Sequence, residues 1–176
     1  MGEGSMDDPR ATAEQYFEVD GRRWRATDPA IPDRLRAELV AELMDARRAV
    51  AAGKRAASEE QVAAARRRVG HAKVALGERG AKWWEPPTSA ALHDRLINVI
   101  LALLRHRDPA SSICPSDAAR VAGGVGWRSI MGDAREVALA LQQEQKVEVR
   151  HAGEPVSSIG EAHGPLRIAR GVHFPG

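Results

Sequence analysis

The residues best able to do chemistry in this chain are arginines, spaced for contact rather than for catalysis. Arg128 and Arg135 lie seven residues apart in a segment whose apolar residues Trp127, Ile130, Ala134, Val137, Ala138 and Leu141 follow helical spacing. Two helical turns separate them, so both guanidiniums are expected on one side, on a face shared with Gly132, Leu139 and Gln142. A guanidinium grips phosphate oxygens or a guanine edge with paired hydrogen bonds, and a glutamine amide reads adenine in the same fashion. Arg150 and His151 precede a turn expected at Gly153-Glu154-Pro155, and Arg167 and Arg170 follow it. The chemistry offered is recognition of a polyanion, double-stranded DNA above all.

Other groups offer less. Cys114 stands just ahead of a helix start, where amide dipoles favour a reactive thiolate, so a thiol-based redox sensor is conceivable. A small residue packed at a helix entrance is the plainer reading. Trp83 and Trp84, beside Lys82, could anchor a protein partner or close the junction between the two halves of the chain. The triple arginine at 66–68 suits either phosphates or a solvated face paired with Glu59, Glu60 or the preceding helix. His71, His93, His106, His151, His163 and His173 have no ligand spacing, so neither a metal nor a cofactor is expected. Phosphate loops, dinucleotide fingerprints and nucleophile elbows are absent from the sequence, and no enzyme is expected.

Charge limits the polyanion reading. Residues 1–89 hold 16 Lys and Arg against 15 Asp and Glu, and residues 90–176 hold 10 against 9. Nucleic-acid binders usually carry a clear basic excess. The segment from Trp127 to Gln145 has Arg128 and Arg135 against Asp133, Glu136 and Glu144, so it repels phosphates unless neighbours engage those carboxylates. The one cysteine fits a reducing cytoplasm, and the longest apolar run, Leu96 to Leu104, is far short of the roughly 20 residues a bilayer requires.

The elements that must position these residues follow from local signals. Asp20-Gly21 between Tyr16–Val19 and Arg22–Arg25 predicts a two-residue hairpin turn. Pro32 suits a first helical turn, and Leu35, Leu39, Leu43, Ala46 and Val50 make an apolar stripe that Gly53 interrupts. Ser58 with Gln61 three residues on is a helix start, and Val62, Ala65, Val69, Ala72 and Leu76 mark that helix's inner face until Gly77 and Gly80. Two such stripes predict an antiparallel helical hairpin. Leu92 through Leu104 is apolar on nearly all sides, hence a buried helix. Pro115 opens another, which Gly123-Gly124 stop, and the helix of Arg128 and Arg135 is expected from about Trp127 to Gln143. Val147–Arg150 and Leu166–Ile168 read as strands flanking a wing.

Residues 92–171 resemble a widespread bacterial domain family of unknown function with winged-helix character. The resemblance rests on Ser112-Ile113-Cys114-Pro115-Ser116 with Ala119-Arg120, on Trp127-Arg128 with Met131, and on Gly164-Pro165 with Arg167-Ile168. It implies a fold and no catalytic or ligand-binding set. The stretches at 20–29 and 77–80 are similar to segments of actinobacterial hypothetical proteins.

The fold class expected is mainly α with small β elements: an N-terminal β-hairpin and antiparallel helical hairpin, then a winged helix-turn-helix. The division expected is a tail at 1–13, a first unit at 14–85, a linker at 86–90 and the winged helix at 91–172. Met1 to Ser5 read as residues ahead of a natural start at Met6. Three functions stay open: a DNA-binding, regulator-like module using Arg128, Arg135, Gln142, Arg150, His151 and Arg167; an adaptor or homodimer docking through Trp83 and Trp84; and a redox sensor at Cys114.

Overall fold

The computed structural model describes residues 14–158 and 164–176. The tail and alternative start expected at 1–13 lie outside the described residues, as does the loop at 159–163.

Strands β1 (Tyr16–Val19) and β2 (Arg22–Arg25) pair antiparallel, with Phe17 opposite Trp24. Asp20 and Gly21 both take positive φ, +52° and +72°, as the two-residue turn demands. Helix α1 (Asp33–Arg55) follows, with Pro32 at its N-cap, one position earlier than a first-turn proline. Gly53 does not interrupt it. The glycine lies inside α1, where an added Cβ would sit 3.0 Å from Val62, so it lets the next helix approach closely. Helix α2 (Glu59–Ala75) starts at Ser58, whose hydroxyl accepts from the Gln61 amide at 3.3 Å, and Gly77 with φ +78° follows its end.

Helix α3 (Ser89–His106) begins with Thr88 as N-cap, so the last two residues of the expected linker are already helical. Leu96, Val99, Ile100, Leu101, Ala102, Leu103 and Leu104 are all buried, and Asn98 is accommodated among them by donating to the Asp94 carbonyl at 2.7 Å. α3 is central because it meets α1 and α2 on one side and the later helices on the other. One continuous core therefore runs from Ile31 and Leu35 through Leu76 and Ile100 to Leu141 and Ile168.

Strand β3 (Ser112–Ile113) was not legible in the sequence; its two residues pair with the last strand, Ile113 opposite Ile168. Helix α4 (Pro115–Gly123) has Pro115 in its first turn and Asp117 accepting from the Cys114 backbone amide at 3.3 Å. The segment Gly124–Ile130 is a 3₁₀ helix, and α5 runs from Met131 to Gln143. The single helix expected from Trp127 is thus corrected. Gly124 and Gly126 disfavour α-helix there, and the tighter winding carries the chain through to Met131.

Strands β4 (Val147–His151), β5 (Glu154–Pro155) and β6 (Leu166–Arg170) complete an antiparallel sheet of order β3-β6-β4-β5. The turn after β4 falls at Ala152 and Gly153, both with positive φ, while Glu154 and Pro155 already pair with His151 and Arg150. The expected Gly-Glu-Pro turn is therefore one residue too late. The architecture is mainly α with small β elements, and among the described residues no helix is long and apolar enough to cross a membrane.

Candidate nucleic-acid interface

Helix α5 keeps the inner face expected of it, with Ala134, Val137, Ala138 and Leu141 buried, while Trp127 and Arg128 fall in the 3₁₀ segment ahead of it. Each 3₁₀ residue advances about 120° around the axis against 100° in an α-helix, so the few residues from Arg128 to Met131 shift the phase by roughly 60°. The positions of α5 most open to solvent are Gly132, Glu136, Ala140 and Gln143, not the expected row through Arg135, Leu139 and Gln142.

Of that expected row, Gln142 is spent inside the protein. Its amide donates to the Val156 carbonyl at 2.7 Å, and its carbonyl oxygen accepts from the Val149 amide at 2.6 Å, tying α5 to the base of the wing. Leu139 packs against the core. Arg135 is half-buried, and its Nε is enclosed with no hydrogen-bond partner.

Arg128 is exposed and does something the spacing did not suggest. Its Cζ lies 4.6 Å from the centroid of the Trp127 ring, and the exposed Arg120 at the end of α4 places its own Cζ 4.5 Å from the same ring. Trp127, half-buried against the core, thus seats two guanidiniums by cation–π attraction. Sequence reasoning missed Arg120 because the pair forms across a change of helix type, where no single period links positions 120, 127 and 128.

Of the carboxylates nearby, Asp117 and Asp133 are engaged, while Glu136 is exposed. Asp117 accepts from Arg107 at 3.3 Å and Arg34 at 3.4 Å, and Asp133 lies 3.0 Å from Nε2 of His93. Burial works against the Arg107 charge, but hydrogen bonds and charges from Glu38 and Asp117 more than offset it and raise its pKa. Among the described residues neither Arg120 nor Arg128 forms an ion pair.

The wing residues are divided. Arg150 is exposed and ion-paired with Glu148 two positions before it on the same strand face. Gly164 backs onto His151 so closely that a Cβ there would sit 3.0 Å from Nε2. Arg167 is held on β3, donating to the Ser112 hydroxyl at 3.0 Å and the Ser112 carbonyl at 2.9 Å. Arg170 clamps the C-terminus of α3, donating to the carbonyls of Leu104, Arg105 and Arg107.

Trp83 and Trp84 sit at the junction of the hairpin with the rest of the chain. The Trp83 indole donates to the Ala26 carbonyl at 3.0 Å, the two rings meet edge to face at 5.0 Å, and Tyr16 meets Trp84 at 5.4 Å. Arg68, from the triple arginine, pairs with Glu42 of α1. Cys114 is half-buried at the N-cap of α4. Among the described residues no cluster of His, Cys, Asp and Glu could hold a metal ion.

No curated protein matches the chain. Residues 93–171, from within α3 through β6 and including Arg120, Trp127 and Arg128, match the family described as protein of unknown function (DUF3253).

Proposed function

We propose that residues 89–171 are a winged helix and that the chain binds double-stranded DNA, chiefly through phosphate contacts made by Arg120 and Arg128. The order α3-β3-α4-α5-β4-β5-β6, with a small four-stranded sheet behind three helices, supports the winged-helix reading. The observation that carries the DNA reading is the Trp127 platform, on which two exposed guanidiniums without ion-pair partners lie at the N-terminal end of α5. In helix-turn-helix docking that end of the second helix is the one that reaches the duplex. Small residues at Gly132 and Ala140 permit close approach, and Arg150 with His151 on the wing offers a second contact to the backbone. With Glu136 central on the exposed face of α5, contacts are weighted to the phosphates, and sequence discrimination is weak.

The test is binding to random-sequence duplex DNA across a salt series. The logarithm of the affinity falls linearly with the logarithm of salt, at about 0.9 per phosphate neutralised, and Arg120→Ala with Arg128→Ala together lower that slope by about 2. A lack of retention at low salt, or a slope the double substitution leaves unchanged, overturns the proposal.

One observation favours the alternative of a homodimer. Phe17, Val19 and Trp24 share one hairpin face and are 51%, 48% and 41% exposed, an apolar surface on a two-stranded sheet. Sedimentation equilibrium that finds a dimer, abolished by Phe17→Lys, supports this reading; a monomer at every concentration excludes it. In either reading the role is recognition, without chemistry of the chain's own.

A further inference from the structure

We propose a second binding site, independent of the DNA reading: a cavity of about 450 Å³ between the N-terminal half and the turn after α4, suited to a neutral, planar aromatic small molecule. Its volume falls among small-molecule sites, which span roughly 300–1,000 Å³.

Its walls come from three parts of the chain. Trp83 and Trp84 form one side; held at 87° to each other, they make an open corner rather than a closed stack. Leu92 of α3 and Ile130 of the 3₁₀ segment form a second, apolar side. The third is the segment 123–126, where Gly123, Gly124 and Gly126 leave the backbone bare and Val125 carries the one side chain. This wall is held in place by close packing: Gly124 has φ +51°, and a Cβ there would sit 2.8 Å from the Cβ of Ala30.

Charge at the cavity sets the ligand class. Asp28 and Arg95 both line it, yet they are mostly buried and satisfied by each other at 2.8 Å. Asp28 also accepts from the Ala30 amide and Arg95 also donates to the Ala75 carbonyl. An ionic ligand would lose hydration and find no free counter-charge among the lining residues, whereas a neutral one loses little. Indole walls favour an aromatic ring in edge or offset contact, and the glycine wall favours a flat one. The Ser129 hydroxyl, which donates to the Gly126 carbonyl at 2.8 Å, keeps lone pairs for an N–H or O–H on the ligand.

The test titrates the full ¹⁵N-labelled chain with indole, following the amides of Gly123, Gly124 and Gly126 and the Trp83 ring N–H. Saturable shifts centred on these groups are expected, with indole-3-acetate binding at least about tenfold more weakly because of its charge. Gly126 does not have left-handed φ, and no atom lies within 4 Å of where its Cβ would be, so Gly126→Phe adds a ring without strain; it is expected to weaken indole by about tenfold. If that variant loses its dispersed spectrum, Ser129→Phe takes its place. Shifts that do not saturate or scatter over the surface, or equal binding by the folded variant, overturn the proposal. So does binding confined to peptides bearing Trp or Phe, which would make the cavity an anchor for a protein partner.

Discussion

Glu42 accepts both arms of the Arg68 guanidinium, each at 3.0 Å, with its own side chain only 1% exposed. Arg105 of α3 stands 3.6 Å from the same carboxylate, so one acidic group joins α1, α2 and α3. Removing it leaves two largely buried guanidiniums facing each other without a counter-charge. Glu42→Ala is expected to destabilise the fold by about 3–5 kcal/mol, read as a lower urea midpoint with an unchanged slope. A loss below about 1 kcal/mol would mean that solvent already screens the pair.

His71 gives the fold an acid limb. Burial, then the charges of Arg105, Arg67 and Lys146, lower its pKa to about 4, and its Nδ1 is enclosed without a hydrogen-bond partner. The unfolded chain takes up a proton near pH 6.5 and the folded chain only near 4, so the unfolded state binds more protons between those values. Stability from this group is therefore complete above about pH 6.5 and falls as the pH drops toward 4. His71→Leu should flatten the melting temperature across that window; an unchanged slope would show that another group controls it.

Arg170 acts as a helix cap. α3 ends with carbonyls that have no helical partner, and one guanidinium answers three of them at 2.8–3.1 Å. Arg170→Ala is expected to cost about 1.5–3 kcal/mol while leaving the salt slope of DNA binding as it is. A changed slope with unchanged stability would move Arg170 to the contact surface.

Two glycines should respond oppositely to alanine. Gly124 combines positive φ with a contact too close for a methyl group, and Gly124→Ala should destabilise by about 1–3 kcal/mol. Gly132 lies in α5 with nothing within 4 Å of the place a methyl group would take, and Gly132→Ala should stabilise by about 0.5–1 kcal/mol. Thermal melts of the two variants check both signs.

The features legible in the sequence are those set by near neighbours. Asp20-Gly21, Ser58 with Gln61 and Pro115 each act within one turn of chain, and each stands where the sequence reading places it. The apolar run of α3 was legible because continuous hydrophobicity needs no partner to be named. The contact face was harder. A heptad count assumes an unchanged period from Arg128 to Arg135, yet Arg128 belongs to a segment wound as 3₁₀ helix and Arg135 to the α-helix after it. Gln142, Arg167 and Arg170 are held by groups 7 to 66 residues away, a relationship with no sequence period. Gly53 was misread for the same reason, because the close approach of Val62 exists only after the hairpin has closed.

α3 is greasy on all flanks, and α1 with α2 shields the flank that α4 and α5 leave bare. The stretch matching the family begins at residue 93, after that shield has ended. A truncated chain retaining only this stretch would bare the flank of α3 that α1 and α2 cover. Such a fragment would expose apolar surface that α1 and α2 bury, so the first helical hairpin completes the core of the second half.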